Sequence, residues 1–283
     1  MEFGVGFPLV ALADVGEIRD LVLGYENAGF DYISVGGHLL CSRAGRYEGR
    51  PEATYCGPYH EPFVLFSFIA ALTTRIRMIT GISILPLLET SSVAKQSAEL
   101  SFLSNGRFEL GVGISWQEAE YRAVGQDVHL RGARLHEQIE LLRLYWTEAF
   151  VTFKGRFHDV DDLGLNRIPA RPIFIWFGST FNETAMRRAA KLGDGWMPIA
   201  ISADAMSKFK DYAAQAGRDP QLLRYMGRMV AGDDGAVGWI AEGKRLQRLG
   251  TTHITISAPP GMTLAAALGR LVEAKDALTN SIA

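Results

Sequence analysis

The stretch that decides the fold is RIRMITGISILP, residues 75–86, together with the residues that follow it as far as FELGVGI, residues 108–114. Both runs are short and mainly apolar, which is typical of buried strands. The residues between them, from Ser92 to about Leu103, are numerous enough for a helix. Strand, helix and strand in this order predict a parallel pair joined by a helical crossover.

The same alternation repeats along the whole chain, and no linker rich in Pro, Gly or Ser interrupts it. Eight units over 283 residues give about 35 residues each, the usual size in a (β/α)8 barrel. An open doubly wound sheet is the alternative, but Gly111 and Gly113 are followed by Trp116 where its glycine-rich turn needs a third glycine. We therefore predict an α/β fold, a (β/α)8 TIM barrel that forms one domain over residues 1–283. The predicted strands are residues 3–7, 31–35, 75–86, 108–114, 173–177, 196–199, 223–230 and 252–257.

Composition favours a globular protein that binds a small molecule. Hydrophobic residues make up 48% of the chain and charged residues 21%, with a formal net charge of −2. The basic residues are dispersed, unlike those of proteins that bind nucleic acids or anionic membranes. The first residues lack a basic flank before their apolar stretch, and no apolar run approaches bilayer length. We expect a cytoplasmic protein without nucleic-acid or membrane partners.

Metal chemistry is not expected. The two cysteines, Cys41 and Cys56, are not spaced with histidines as zinc ligands are. The predicted strand ends lack the cluster of His, Asp and Glu that metal catalysis needs. A Gly-x-Ser-x-Gly nucleophile elbow is also absent. We expect two free thiols and no metal site.

Two insertions interrupt the regular alternation. The loop after the second strand, residues 37–60, is unusually long and carries Tyr47, Tyr55, Tyr59 and other polar aromatic residues. Loops of this length are commonly lids or binding loops, although a surface excursion is an equal alternative. A second, shorter insertion at residues 151–166 is expected to be a β excursion.

Glycines cluster where the predicted strands end. In a barrel of this class the active site lies at the carboxyl ends of the strands. Glycine there permits close approach of the backbone to a flat ligand, and a Gly-Ser-Thr run before a helix offers amides and hydroxyls to a phosphate. Each glycine alone is explained as well by a simple turn, but their joint placement favours a phosphorylated aromatic cofactor. The strand-end runs are Gly36-Gly37-His38, Gly81-Ile82, Gly113-Ile114-Ser115 and Gly178-Ser179-Thr180.

His38 is the histidine placed at a predicted strand end. An imidazole that titrates near neutrality can donate a proton or hydrogen-bond a cofactor. The alternative is a histidine whose nitrogens are satisfied by loop backbone, and no neighbouring residue in the sequence supplies a carboxylate to orient the ring. We predict a catalytic role for His38.

Several of these segments resemble the luciferase-like monooxygenase family. The resemblance rests on residues 73–86, 94–96 and 103–113, and it continues through Arg131 and further segments at residues 137–146, 153–157 and 193–196. It implies a luciferase-like (β/α)8 barrel, commonly homodimeric, that binds FMN or the deazaflavin coenzyme F420 at the carboxyl ends of the strands. The runs at residues 193–196 and 217–219 are most similar to those of the deazaflavin branch, whose members transfer a hydride at C5 of the cofactor.

The resemblance also implies roles for individual residues. Gly81-Ile82 matches the position of a non-proline cis peptide behind the cofactor ring. His38 matches the histidine of the family's Asp-His pair, but Gly37 stands where the family has Asp, so a carboxylate that contacts the cofactor is missing. The residues implied to bind the cofactor are Gly37, His38, Gly81, Ile82, Gly113, Ile114, Ser115, Gly178, Ser179 and Thr180.

We therefore expect an F420-dependent oxidoreductase that acts on a small organic substrate. A two-component FMN-dependent monooxygenase is one alternative. A protein that binds a deazaflavin without turning it over is another, because of Gly37. A homodimer is expected because the second helix is apolar nearly all round. Its apolar residues are Phe63, Leu65, Phe66, Phe68 and Ile69.

Overall fold

Parallel strands close into a barrel in the computed structural model of the chain, which describes residues 1–8, 14–51 and 56–282. The barrel strands are β1 (Glu2–Gly6), β2 (Tyr32–Val35), β3 (Arg77–Thr80), β4 (Ser83–Ile84), β5 (Phe108–Gly113), β8 (Ile175–Ser179), β9 (Gly195–Pro198), β10 (Arg224–Val230) and β11 (His253–Ser257), and a separate hairpin consists of β6 (Val151–Lys154) and β7 (Asp159–Leu163). Around the barrel the order is β1, β2, β3, β5, β8, β9, β10 and β11, and β11 pairs with β1. This closure confirms the predicted (β/α)8 TIM barrel.

Helices follow the strands and cover the outside of the barrel. They are α1 (Val15–Asn27), α2 (Pro62–Leu72), α3 (Thr90–Leu103), α4 (Glu118–Ala123), α5 (Arg131–Thr147), α6 (Glu183–Leu192), α7 (Ala203–Gln215), α8 (Gly235–Arg248) and α9 (Leu264–Ile282). Capping residues fix several of their starts, since the side chains of Asp14, Asn182 and Ser202 each accept a hydrogen bond from the N–H three residues later. None of the helices in the described ranges is long and apolar enough to cross a bilayer.

Three details differ from the sequence-based expectations. The predicted strand 75–86 is interrupted, because β3 ends before a cis peptide bond between Gly81 and Ile82, and β4 resumes at Ser83. The predicted strand 173–177 begins and ends two residues later, so Gly178 and Ser179 belong to β8. Helix α4 was not predicted, because six residues are too few to show a helical period.

The two insertions leave the barrel in different ways. The antiparallel hairpin of β6 and β7 lies within the range expected for the β excursion. The long segment between β2 and α2 has no helix or strand among its described residues. Tyr55, one of the aromatic residues expected in that loop, lies outside the described residues.

Side chains fill the barrel interior in layers, because alternate residues of each strand face inward. The middle layer is apolar and fully buried. It consists of Tyr32, Ile79, Trp176, Met197 and Met226. Inward-facing residues earlier in the strands lie at the amino-terminal end of the barrel, and later ones lie at the carboxyl end.

Candidate active site

The carboxyl end of the barrel, called the mouth below, brings together glycines from separate strands. The peptide bond between Gly81 and Ile82 is cis, as the resemblance predicts. The Ile82 side chain lies against two glycines, so that a methyl group on Gly113 would lie 2.5 Å from its Cδ1 and one on Gly178 would lie 2.7 Å from its Cγ2. A larger residue at either glycine would therefore displace Ile82.

The other side of the mouth is polar. A methyl group on Gly6 would lie 2.9 Å from the Ser257 hydroxyl, and one on Gly81 would collide with the Ser34 hydroxyl. A methyl group on Gly81 would also lie 3.9 Å from Nη2 of Arg228. The floor of the mouth thus has an apolar part formed by Ile82 and a polar part that carries one guanidinium. This combination suits a flat heteroaromatic ring.

His38 lies just beyond β2 and is held by a buried carboxylate. Its Nδ1 is 2.6 Å from Oε2 of Glu120, and Oε1 of Glu120 accepts a 3.0 Å hydrogen bond from the Leu40 N–H. The Glu120 side chain is 1% exposed, and that of His38 is 14% exposed. The sequence next to His38 supplies no carboxylate to orient the ring, but the fold brings one from 82 residues away. The missing partner comes from α4, on the neighbouring part of the mouth.

This pair defines how the imidazole can act. A carboxylate accepts hydrogen bonds, so Nδ1 carries the proton that it donates to Glu120. The Nε2 atom then keeps a lone pair or a second, removable proton, and it makes no hydrogen bond to the described part of the chain. An imidazole held at one nitrogen and free at the other is the arrangement of a general acid or base.

The long loop after β2 packs back onto the end of β5. Gln117 donates a 2.7 Å hydrogen bond to the buried Ser42 hydroxyl. Tyr47 meets the Trp116 ring edge-on at 4.8 Å, and the Arg50 guanidinium lies 3.8 Å from the centre of the same ring. The described part of the loop therefore covers one side of the mouth, as a lid would.

Tyr59, from the same loop, lies beside the catalytic candidate. Its ring centre is 5.5 Å from that of His38. Burial raises the pKa of Tyr59, and the nearby charge of Glu120 raises it further. The phenol is therefore protonated at neutral pH and can donate a hydrogen bond.

The remaining predicted residues lie around the mouth with different surroundings. The Ile114 carbonyl accepts a hydrogen bond from Tyr121, and Ser115 has a left-handed backbone with φ of 52°. The Ser179 hydroxyl accepts a 2.7 Å hydrogen bond from the Trp196 indole, and Thr180 is exposed. Ser179 is therefore already fixed by the protein, whereas Thr180 is free to meet solvent or a ligand.

Sequence reasoning did not single out a pair of arginines between α5 and α6. Burial lowers the pKa of Arg188, and the like charge of Arg131 lowers it further. Arg131 donates to the Val128 carbonyl, and its Nε makes no hydrogen bond within the described ranges. Two guanidinium groups that lie close enough to lower each other's pKa are suited to a phosphate. Only the fold could show this, because Arg131 and Arg188 are far apart in sequence.

Candidate metal ligands do not converge. Among the residues that the structure describes, no group of three or more His, Cys, Asp or Glu side chains could hold a metal ion. Cys41 is exposed and Cys56 is partly buried, and neither is in a disulfide.

Comparison with known proteins assigns the family. The sequence profile of the luciferase-like monooxygenases matches residues 1–234. The chain belongs to this family, which is a family of oxidoreductase enzymes. The solved structure of an F420-dependent secondary alcohol dehydrogenase, in complex with an F420-acetone adduct, superposes with a TM-score of 0.80. It is 17% identical and covers 98% of both chains, a likeness that shows the shared fold.

Two curated relatives come from Mycobacterium tuberculosis. An uncharacterized protein is 37% identical over 150 residues, which are 53% of this chain and 51% of the relative. An F420-dependent hydroxymycolic acid dehydrogenase is 29% identical over 226 residues, which are 77% of this chain and 59% of that enzyme. The chain thus spans between about half and three fifths of the length of these relatives.

Proposed function

We propose that this protein is an F420-dependent oxidoreductase that acts on a small organic substrate. The observation that carries the proposal is the His38–Glu120 pair beside the glycine-lined floor of the mouth. The similarity to an F420-dependent dehydrogenase supports the choice of cofactor. An acid–base histidine next to a surface for a flat ring is what alcohol–carbonyl interconversion requires.

The residues at the mouth fit such a cofactor. Ile82, seated on Gly113 and Gly178, would support the ring, and Gly37, whose N–H donates to the Ile82 carbonyl at 3.4 Å, would border it. Ile114, Ser115, Ser179 and Thr180 would line the side towards the phosphate, with Arg131 and Arg188 nearby. When bound, the deazaflavin supplies a carbon, C5, that accepts or donates a hydride.

The protein itself manages the proton. His38 Nε2 removes the proton of a substrate hydroxyl in the oxidative direction and returns it to a carbonyl oxygen in the reductive one. Glu120 acts as a positioning residue, since it fixes the ring and stabilises the imidazolium that forms. Trp116 and the loop packed on it exclude water from the reacting atoms. Although Gly37 stands where the family has Asp, His38 still has a carboxylate partner, because Glu120 supplies it.

The direct test is a titration of the purified protein with F420 and, separately, with FMN. We expect micromolar or tighter F420 binding, followed by the change in F420 fluorescence, and negligible FMN binding. His38→Ala should retain F420 binding within a few-fold and lose turnover of F420H2 or F420 by about 10²–10⁴-fold across a panel of alcohols and carbonyl compounds. Tight FMN binding without F420 binding would contradict the proposal.

An FMN-dependent two-component monooxygenase is the second candidate, favoured by the family to which the chain belongs. It predicts oxygen consumption when chemically reduced FMN and substrate are added. A non-catalytic deazaflavin carrier predicts tight F420 binding with no turnover by any substrate in the panel. The three candidates therefore differ in binding, oxygen use and turnover.

We also propose a homodimer formed through α2. Phe63, Phe66 and Ile69 are buried in the chain's own core, but Val64 is 72% exposed and Phe68 is 36% exposed one helical turn away. Such a stripe is suited to a second copy. Val64→Asp should convert a dimer to a monomer in sedimentation, whereas Val237→Asp, at a position 83% exposed on α8, should not. A monomeric wild-type protein at micromolar concentration would exclude this interface.

We propose a cytoplasmic location from the state of the two cysteines. Neither Cys41 nor Cys56 forms a disulfide, as is usual in a reducing compartment, and this supports a cytoplasmic protein.

A further inference from the structure

Arg228 points into the barrel one layer nearer the mouth than the apolar middle layer. On β10 it is aligned with Thr255 of β11. The Thr255 hydroxyl is 3.0 Å from the Tyr32 hydroxyl inside the barrel. Met226, two residues before Arg228, belongs to the buried middle layer. Because alternate residues of a strand share a face, the Arg228 guanidinium stands at the floor of the mouth, beside Gly81.

Within residues 1–8, 14–51 and 56–282, no hydrogen bond or ion pair reaches the Arg228 guanidinium. Two other arginines of the barrel strands, Arg77 and Arg224, each form an ion pair with Glu109, at 2.7 and 3.6 Å. Arg224 lies on β10, the strand that also carries Arg228. Arg228 therefore differs from Arg224 of the same strand, which has an ion-pair partner.

Arg228 as a whole residue is exposed to solvent at the mouth, and protein groups around its guanidinium desolvate it in part. Burial lowers the pKa of its guanidinium, although water still reaches the side chain through the mouth. Arginine stays protonated in proteins, so the charge persists. A partly desolvated charge without a partner destabilises the protein unless a ligand supplies the opposite charge. The residues placed here are small: Gly81, where an added methyl group would lie 3.9 Å from Nη2 of Arg228, and Ser34 next to Gly81.

We propose that Arg228 binds an oxyanion at the floor of the mouth, carried by the bound cofactor or by the substrate. This inference rests on the proposed function and deepens it, because it gives the pocket a charge requirement. A guanidinium presents two parallel N–H groups, which match a carboxylate or an N–C=O⁻ edge. Glu120 cannot supply this contact, because a carboxylate repels an oxyanion, and the single N–H that His38 could offer at Nε2 lacks the paired donors of a guanidinium.

Two sources can supply the oxyanion. A deazaflavin ring that took up a hydride without a proton would carry one more negative charge than the oxidised ring, delocalised over its N–C=O groups. A substrate carboxylate carries its charge in both oxidation states. The first source predicts that Arg228 discriminates between reduced and oxidised cofactor, and the second predicts that it discriminates between acidic and neutral substrates.

The experiment compares the wild type with Arg228→Met, which removes the charge and keeps much of the side-chain volume. Oxidised F420, F420H2 under anaerobic conditions, and benzoate are titrated separately by calorimetry. We expect a loss of affinity on the order of ten- to hundredfold for at least one of F420H2 and benzoate. Loss for F420H2 with little change for oxidised F420 identifies the ring, whereas loss for benzoate alone identifies a substrate carboxylate.

Arg224→Met is the matched control, because it removes the same charge from the amino-terminal end of the same strand. It should leave all three affinities within about twofold. Equal losses in both variants, or no loss in Arg228→Met, would overturn the proposal. If the wild type binds no F420, the proposed function fails, and the benzoate titration still tests Arg228.

A second readout needs no ligand. Because Arg228 has no ion-pair partner in the described part of the chain, Arg228→Met without ligand should melt a few degrees above the wild type. Arg228→Lys, which keeps the charge, should show no such rise. An Arg228→Met protein that melts below the wild type would show that the guanidinium is already satisfied in the free protein, which contradicts the proposal.

Discussion

The charged side chains at the two ends of the barrel interior differ in whether they have ion-pair partners. At the amino-terminal end, Glu109 contacts Arg77 at 2.7 Å, Arg224 at 3.6 Å and the Trp176 indole at 2.6 Å. Glu2 lies against Arg77 and 2.6 Å from His253. At the mouth, four residues further along β10, Arg228 has no hydrogen-bond or ion-pair partner among the described residues and lies beside Gly81.

This difference separates stability from function within the same strands. Charges that are paired inside the protein fix the barrel and leave nothing for a ligand. A charge left unpaired, together with side chains too small to fill the space, costs stability and creates a binding site. An ion-pair network therefore stabilises the amino-terminal end of the barrel, and the mouth is left able to bind a ligand.

The largest expected effect is on the amino-terminal network. Glu109→Ala would leave Arg77 and Arg224 without their shared carboxylate, so we expect the free energy of unfolding to fall by about 3–5 kcal/mol. Urea denaturation measures this. Glu99→Ala, which breaks an exposed 3.2 Å pair with Lys95, should cost less than about 1 kcal/mol. A loss below 1 kcal/mol for Glu109→Ala would mean that the network does not stabilise the barrel.

At the mouth, the largest effect should be on rate. Glu120→Gln removes the carboxylate from His38, and we expect kcat to fall on the order of a hundredfold, about 2.7 kcal/mol of activation free energy, with little change in F420 affinity. The ¹⁵N shifts of the His38 ring should report loss of the Nδ1-protonated tautomer. Glu118→Gln is the control, because Glu118 lies on the same short helix, is 59% exposed and pairs with Arg122. Equal effects of the two variants would refute the positioning role of Glu120.

A smaller effect should follow from filling the floor. In Gly178→Ala the new methyl group would lie 2.7 Å from Ile82, so Ile82 must move towards the ligand. We expect F420 affinity to fall about tenfold, or 1.4 kcal/mol, with the fold retained. In Gly269→Ala, on α9, the added methyl group meets nothing within 4 Å and should leave binding unchanged. Unaltered affinity in Gly178→Ala would place the ring elsewhere.

The smallest effect is the pH dependence of the amino-terminal network. Burial raises the pKa of Glu2, but the proximity of His253 and Arg77 outweighs burial and lowers it to about 2. A lowered carboxyl pKa gives stability that is present above the ordinary value of 4.5 and lost as the pH falls from there towards 2. Because the side chain is 39% exposed, we expect a contribution of about 1 kcal/mol. Glu2→Gln should reduce the acid sensitivity of the melting temperature, and an unchanged profile would contradict this.

Most of the fold was predictable because its signals are local. Apolar runs, capping residues and glycines lie within a few residues of one another, so the alternation of strands and helices and the glycines of the mouth could be placed directly. The element bounds shifted by one or two residues in most cases. The break at Gly81 and the short helix α4 were less visible, because neither interrupts or creates a periodic pattern.

The sequence by itself determined the barrel, the strand ends that meet at the mouth, and His38 as the residue to test. Only the tertiary structure decided how His38 is held, since its partner Glu120 is 82 residues away in sequence. The same is true of Arg228, because whether it has an ion-pair partner depends on all the residues that surround it in the fold. Periodicity records which face of a strand is buried, but which charges find a partner depends on distances between segments that the chain brings together only when it folds.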